Sequence, residues 1–88
     1  MIKTQLYGCR SLALFKVNNL NASYDDCKYV IQHDPNNVEI LLRKAAIEML
    51  RKQFYLAVDT YKRVRELEIA NKEAVSGQLK AVHMMLDI

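Results

Sequence analysis

The chain repeats itself with a period of 34 residues, and that period decides the fold before any single helix is read. Shifted by 34, Tyr7 falls on Leu41 and then on Val75, and Ser11 falls on Ala45 and then on Leu79. Leu20 falls on Phe54, Ser23 on Ala57, Cys27 on Tyr61, Val30 on Val64 and Asn37 on Asn71. Apolar residues mostly meet apolar ones, small residues meet small ones, and turn asparagines coincide. Each unit must then be one short piece of supersecondary structure that buries a face by stacking on its neighbour.

The unit is helical. Hydrophobic residues make up 51% of the 88, which argues against disorder. Two glycines and one proline leave few tight turns, and no stretch alternates apolar and polar residues over a strand's length. Helical spacing predicts a first helix over 5–17, with Tyr7, Arg10, Ser11 and Leu14 on one face. Gly8 weakens its first turns by about 1 kcal/mol, and the asparagines of 18–21 end it. A second helix is predicted over 22–33. Its stripe is Tyr24, Cys27, Val30 and Ile31, and Asp25 and Asp26 stand in its first turn, where the helix dipole favours acids. Asp34-Pro35 stops it, because proline lacks the amide donor and drives the preceding residue out of helical geometry. Asn36 and Asn37 can cap the next helix with their side-chain oxygens.

A third helix is predicted over 38–52, carrying Leu41, Ala45, Ala46, Met49 and Leu50, with Arg51-Lys52 complementing its carboxyl end. The break at Gln53-Phe54 has neither glycine nor proline. The fourth helix, from 56 or 57 to 67, aligns Ala57, Tyr61, Val64 and Leu67. Ala70-Asn71 turns the chain into a fifth, over 72–85, with Val75, Leu79, Val82 and Leu86 as its stripe and Met84-Met85-Leu86 packing on the last hairpin.

Several function classes are disfavoured. Formal charge is +3, compatible with acidic partners without requiring them. Cys9 and Cys27 make no disulfide framework and match no metal spacing, so they read as reduced thiols of a cytoplasmic protein. The start shows no signal peptide, and no stretch approaches a membrane span. Asn21-Ala22-Ser23 matches the glycosylation triplet by chance. His33 and His83 are isolated, so no metal is expected. The basic residues Arg43, Lys44, Arg51, Lys52, Lys62, Arg63 and Arg65 spread over two helices and several faces, as a solvated surface does, so no nucleic acid is expected. There is no phosphate loop and no nucleophile beside a base, hence no catalytic residue, no cofactor and no enzyme.

Two helices in 34 residues, with an aromatic, a small residue, a second small residue and a proline at set offsets, form the pattern of the tetratricopeptide repeat. The chain runs Tyr7-x-x-Arg10-Ser11-x-x-Leu14, Ser23-x-x-x-Cys27, Pro35, and then Leu41-x-x-Lys44-Ala45-x-x-Glu48, Ala57-x-x-x-Tyr61, with Ile69 in the proline's place. It resembles that family over nearly its whole length. Glu48 stands where an aromatic is usual, and Leu79 where a small residue is usual. The resemblance implies an all-α, right-handed solenoid of antiparallel helix pairs in one domain, 1–88. Hairpins are expected at about 5–33 and 38–68, with a capping helix at about 72–87, five helices in all. Two repeats and a cap fall short of the usual three, so a piece of a longer array, or a self-associating chain, is expected.

Leu6–Ser11, Asp26-Cys27-Lys28, Asp34–Val38 and Leu42-Arg43-Lys44 resemble chaperone-binding repeat domains. That resemblance implies a groove holding the acidic carboxyl-terminal tail of a heat-shock chaperone. Arg43 matches the family's tail clamp. Cys9 stands where the clamp has asparagine, and Glu39 where it has lysine. The groove is expected to be lined by Gln5, Cys9, Leu12, Phe15 and Lys16 beside Glu39, Arg43, Ala46, Met49 and Leu50. This trough suits a short peptide with apolar anchors. Alternatively Leu12, Phe15 and Met49 are core, or are covered by a further hairpin. Two functions stand side by side: an adaptor or co-chaperone module that binds a peptide or tail, and a structural segment that self-assembles into homo-oligomers.

Overall fold

The computed structural model describes residues 2–86, and among them the regular structure is helical: α1 (Ile2–Lys16), α2 (Leu20–His33), α3 (Val38–Leu50), α4 (Phe54–Leu67) and α5 (Lys72–Leu86). α1 packs on α2, α3 on α4, α2 on α3 and α4 on α5. The architecture is an all-α helical-repeat solenoid.

Asparagines set three of the helix starts. Asn19, Asn37 and Asn71 accept the backbone N–H groups of Ala22, Ile40 and Ala74 at 3.4, 3.1 and 2.9 Å. Because Asn19 is itself a cap, α2 begins at Leu20, ahead of the expected 22. Its first turn therefore holds no acid, and the expectation for Asp25 and Asp26 is corrected. Asp26 is buried, and its carboxylate accepts both arms of the Arg10 guanidinium at 2.7 Å.

The glycine-free break is also explained. Asn18 and Lys52, 34 residues apart, both have left-handed backbones (φ 64° and 60°). Beyond each, an N–H reaches back to close the same turn: Asn19 to the Leu14 carbonyl and Gln53 to the Glu48 carbonyl, both at 2.8 Å. Lysine has no special tolerance of that conformation, so the sequence marks the second turn poorly. α3 thus ends at Leu50 rather than 52, and α4 begins at Phe54 rather than 56 or 57.

Within each hairpin the helices cross closely at small residues. Ser11 and Ser23 are fully buried, and the Ser23 hydroxyl donates to the Ser11 carbonyl at 2.7 Å. Ala45 and Ala57 fill the equivalent places in the second hairpin, also fully buried. One core cluster gathers Cys27, Val30, Ile40 and Ile47 between hairpins. The other gathers Leu41, Ala45, Ala57, Tyr61, Val64, Ala74 and Ala81. A fully buried side chain the size of Ile47 contributes about 1.5–3 kcal/mol.

Glu48, the departure from the aromatic pattern, has no exposed surface. Its carboxylate accepts from the Tyr24 hydroxyl at 2.6 Å, the Lys44 ammonium at 2.7 Å and the Thr60 hydroxyl at 2.7 Å. Tyr24 is on α2 and Thr60 on α4, so the network ties the two hairpins together. Burial, and then the bond to Glu48, push the Tyr24 phenol well above its ordinary value.

α5 packs by a different face from the one expected. Its buried residues are Ala74 and Ala81. Leu79 is 67% and Leu86 80% exposed, and Val82 and Met84 also reach solvent. Val75, Leu79 and Val82 of that stripe are the 34-residue counterparts of Leu41, Ala45 and Glu48, on the face that α3 turns to α4. α5 has no such partner among the described residues. It packs on α4 instead, where Gly77 faces Tyr61. A Cβ on Gly77 would lie 2.6 Å from Tyr61 Cε2 and 2.7 Å from Cε1.

Gly77→Ala should therefore destabilise the fold by about 1–3 kcal/mol in urea unfolding, although alanine gains about 1 kcal/mol in helix propensity. A second expectation concerns alkali. A phenol held protonated more firmly when folded adds stability that is complete below its unfolded value near 10 and is lost as pH rises above it. Urea midpoints should fall more steeply above pH 10 in the native chain than in Tyr24→Phe.

Candidate functional site

The first helices of the two hairpins, α1 and α3, lie side by side and leave a trough. One part, of about 390 Å³, is lined by Gln5, Gly8, Cys9 and Leu12 of α1, by Asp34 and Asn37 of the turn, and by Glu39 and Ile40. A second part, of about 260 Å³, is lined by Leu12, Phe15, Glu39, Leu42, Arg43 and Ala46, and by Glu73 from the first turn of α5. The two share Leu12 and Glu39.

Seven of the ten residues expected in the groove line it: Gln5, Cys9, Leu12, Phe15, Glu39, Arg43 and Ala46. Lys16, Met49 and Leu50 do not. Met49 packs against the second core cluster, and Lys16 and Leu50 are exposed near the ends of their helices, outside both parts. Gly8, Asp34, Asn37, Ile40, Leu42 and Glu73 line the trough as well, and none of them was among the expected residues. A signal for one was present: Gln5, Glu39 and Glu73 share a single register position, so the column that starts on α1 continues on α5.

Arg43 has only 8% of its side chain exposed. One guanidinium nitrogen donates to Ser11 Oγ at 2.9 Å and to the Gly8 carbonyl at 3.5 Å, and the other to Glu39 at 3.0 Å. The Glu39 carboxylate, by contrast, is 75% exposed. The arginine thus stitches α3 to α1 rather than standing free. It passes Cys27, a small residue whose thiol is pushed up chiefly by burial and drawn down by Ser11 and Arg43. Cys27 is a free but buried thiol, and Cys9 is free and exposed at the trough.

Register neighbours explain the difference between the two junctions. At the first, small Cys27 faces long Arg43. At the second, the large Tyr61 ring faces Gly77. Volume is exchanged across the interface, so both junctions close. Among the described residues no group of three or more histidine, cysteine, aspartate or glutamate side chains is placed to hold a metal ion, and no helix is long and apolar enough to cross a membrane.

Because its guanidinium bonds Ser11, Arg43→Ala should lower unfolding free energy by about 2 kcal/mol in urea denaturation, the loss typical of a charge-assisted hydrogen bond.

No family model matches the sequence. The chain is 29% identical over 72 residues to the DnaJ homolog subfamily C member 7 homolog of Dictyostelium discoideum, a match covering 82% of this chain and 13% of that protein. It is 31% identical over 65 residues to sperm-associated antigen 1 of Mus musculus, covering 74% of this chain and 7% of that protein. It thus spans only a small part of either relative. Among solved structures it superposes on the first TPR of Spaghetti (RPAP3), bound to the HSP90 peptide SRMEEVD, with a TM-score of 0.89 at 23% identity, covering 94% of this chain and 66% of that one. It superposes on the TPR2B domain of yeast Sti1, in complex with pHsp70, with a TM-score of 0.84 at 25% identity, covering 93% and 70%. The chain has the tetratricopeptide-repeat fold, as do the two TPR domains it superposes on.

Proposed function

We propose that the chain is a non-catalytic protein-interaction module, of the co-chaperone or assembly-adaptor kind, that holds a short peptide or tail in its concave trough in the cytoplasm. The observation that carries this reading is the trough itself. It is lined by the first helix of each hairpin, and apolar Leu12, Phe15, Leu42 and Ala46 stand in it beside polar Gln5, Asn37 and Glu39. A backbone lying there can bury alternate side chains while its amides stay near polar groups. The similar structures are of repeat domains recorded with an HSP90 peptide and with pHsp70, which makes the acidic tail of a heat-shock chaperone the first segment to test.

A second reading has its own observation. Leu79 and Leu86 give the outer face of α5 an apolar stripe, which suits self-assembly or a place inside a longer array.

Two peptides separate these readings: SRMEEVD, and SRMKKVK with an amidated end. At low salt at least one should bind with a dissociation constant of about 1 mM or tighter. Amide shift changes in nuclear magnetic resonance should cluster at Cys9, Leu12, Glu39 and Ala46, and Leu12→Asp should abolish them. No response to either peptide, together with a mass above the monomer that Leu79→Asp returns to the monomer, would select the self-assembling reading.

A further inference from the structure

We infer that the trough is built for a cationic segment: an extended peptide with lysine or arginine flanking an apolar anchor, and not an acidic carboxyl-terminal tail. This rests on the reading that the trough binds a peptide at all. Among its described lining residues the charged ones are Asp34, Glu39 and Glu73, against Arg43 alone. The arginine side chain is 8% exposed, with its donors turned to Ser11, Gly8 and Glu39. An incoming carboxylate would meet Glu39 and Glu73 first and would have to strip Arg43 from the helix it anchors.

The chain as a whole is cationic, at +3, so the acidic trough is a local reversal. Other cations are engaged elsewhere: Arg10 with Asp26, Lys44 with Glu48, and Arg63 with Asn36 and Glu66. Walls of low dielectric concentrate the field of charges lining a cleft, so carboxylates along a groove act more strongly than the same groups on a convex surface. Glu39 and Glu73 occupy one register position on successive first helices, which spaces them along the path of an extended ligand. Apolar Leu12 and Ala46 lie along the same path and take the anchor.

The test compares SRMEEVD with amidated SRMKKVK on the native chain at about 50 mM salt and at about 1 M, where the screening length shrinks to about 3 Å. The basic peptide should bind about tenfold tighter at low salt, and the difference should collapse at high salt. In the double variant Glu39→Gln, Glu73→Gln, whose folding is checked by circular dichroism, the preference should drop to about twofold or less. Equal or tighter binding of the acidic peptide to the native chain would overturn this inference and leave the peptide-binding reading standing. A basic preference that survives unchanged in the double variant would overturn the role assigned to these carboxylates. Failure of both peptides at the trough would remove the peptide-binding reading, and this inference with it.

Discussion

The carboxylate of Glu48 constrains the rest of the fold. Taking an ion wholly out of water costs several kcal/mol even after relaxation, so the structure holds only if donors surround it. Here those donors come from three helices: Tyr24 of α2, Lys44 of α3 and Thr60 of α4. No rotation of α3 about its axis keeps all of them. The Tyr24 ring also lies against the Arg51 guanidinium, 4.8 Å from its centroid, and the Lys44 ammonium, at 5.5 Å. An aromatic at residue 48 would have supplied volume. The acid supplies direction, because hydrogen bonds are angular and packing is not.

Once α3 is held in that rotation, its opposite face is settled. Glu39, Leu42 and Ala46 turn to the trough, and Arg43 reaches across to α1. The same packing decides the electrostatics. Arg43 is covered because Cys27 leaves it room, and Tyr61 fills that room at the next junction, where Gly77 yields. The trough therefore shows the carboxylates of Asp34, Glu39 and Glu73, while Arg10, Lys44 and Arg63 are paired elsewhere. The charge it presents follows from core packing rather than from an independent set of surface residues.

Much of the architecture was legible in the residues. Of the two asparagines expected to cap α3, Asn37 does so while Asn36 accepts from Arg63, and Asp34-Pro35 ends a helix for the reason proline always does. Cys27 and Val30 of the α2 stripe and Ala57, Tyr61 and Val64 of the α4 stripe are buried as their spacing requires, with Tyr24, Ile31 and Leu67 partly buried. Less was legible where the deciding partner is distant in sequence. Lys52 adopts a left-handed turn that its side chain does not advertise. The spacing of Val75, Leu79 and Val82 marks an apolar face on α5 but not which neighbour receives it, and α4 takes the Ala74, Gly77 and Ala81 side instead.

The sequence by itself determined the period of 34, the helical unit, the stop at Asp34-Pro35 and the small residues where the helices of the two hairpins cross. All of these depend on local geometry and on side-chain size at fixed spacing. The tertiary structure alone decided which charges remain free. Whether Arg43 is a clamp or a stitch depends on Ser11, 32 residues away, and whether Glu48 is tolerable depends on Tyr24, 24 away. A charge is worth what its burial and its neighbours make it, and those neighbours are set by how helices stack, which no local pattern encodes.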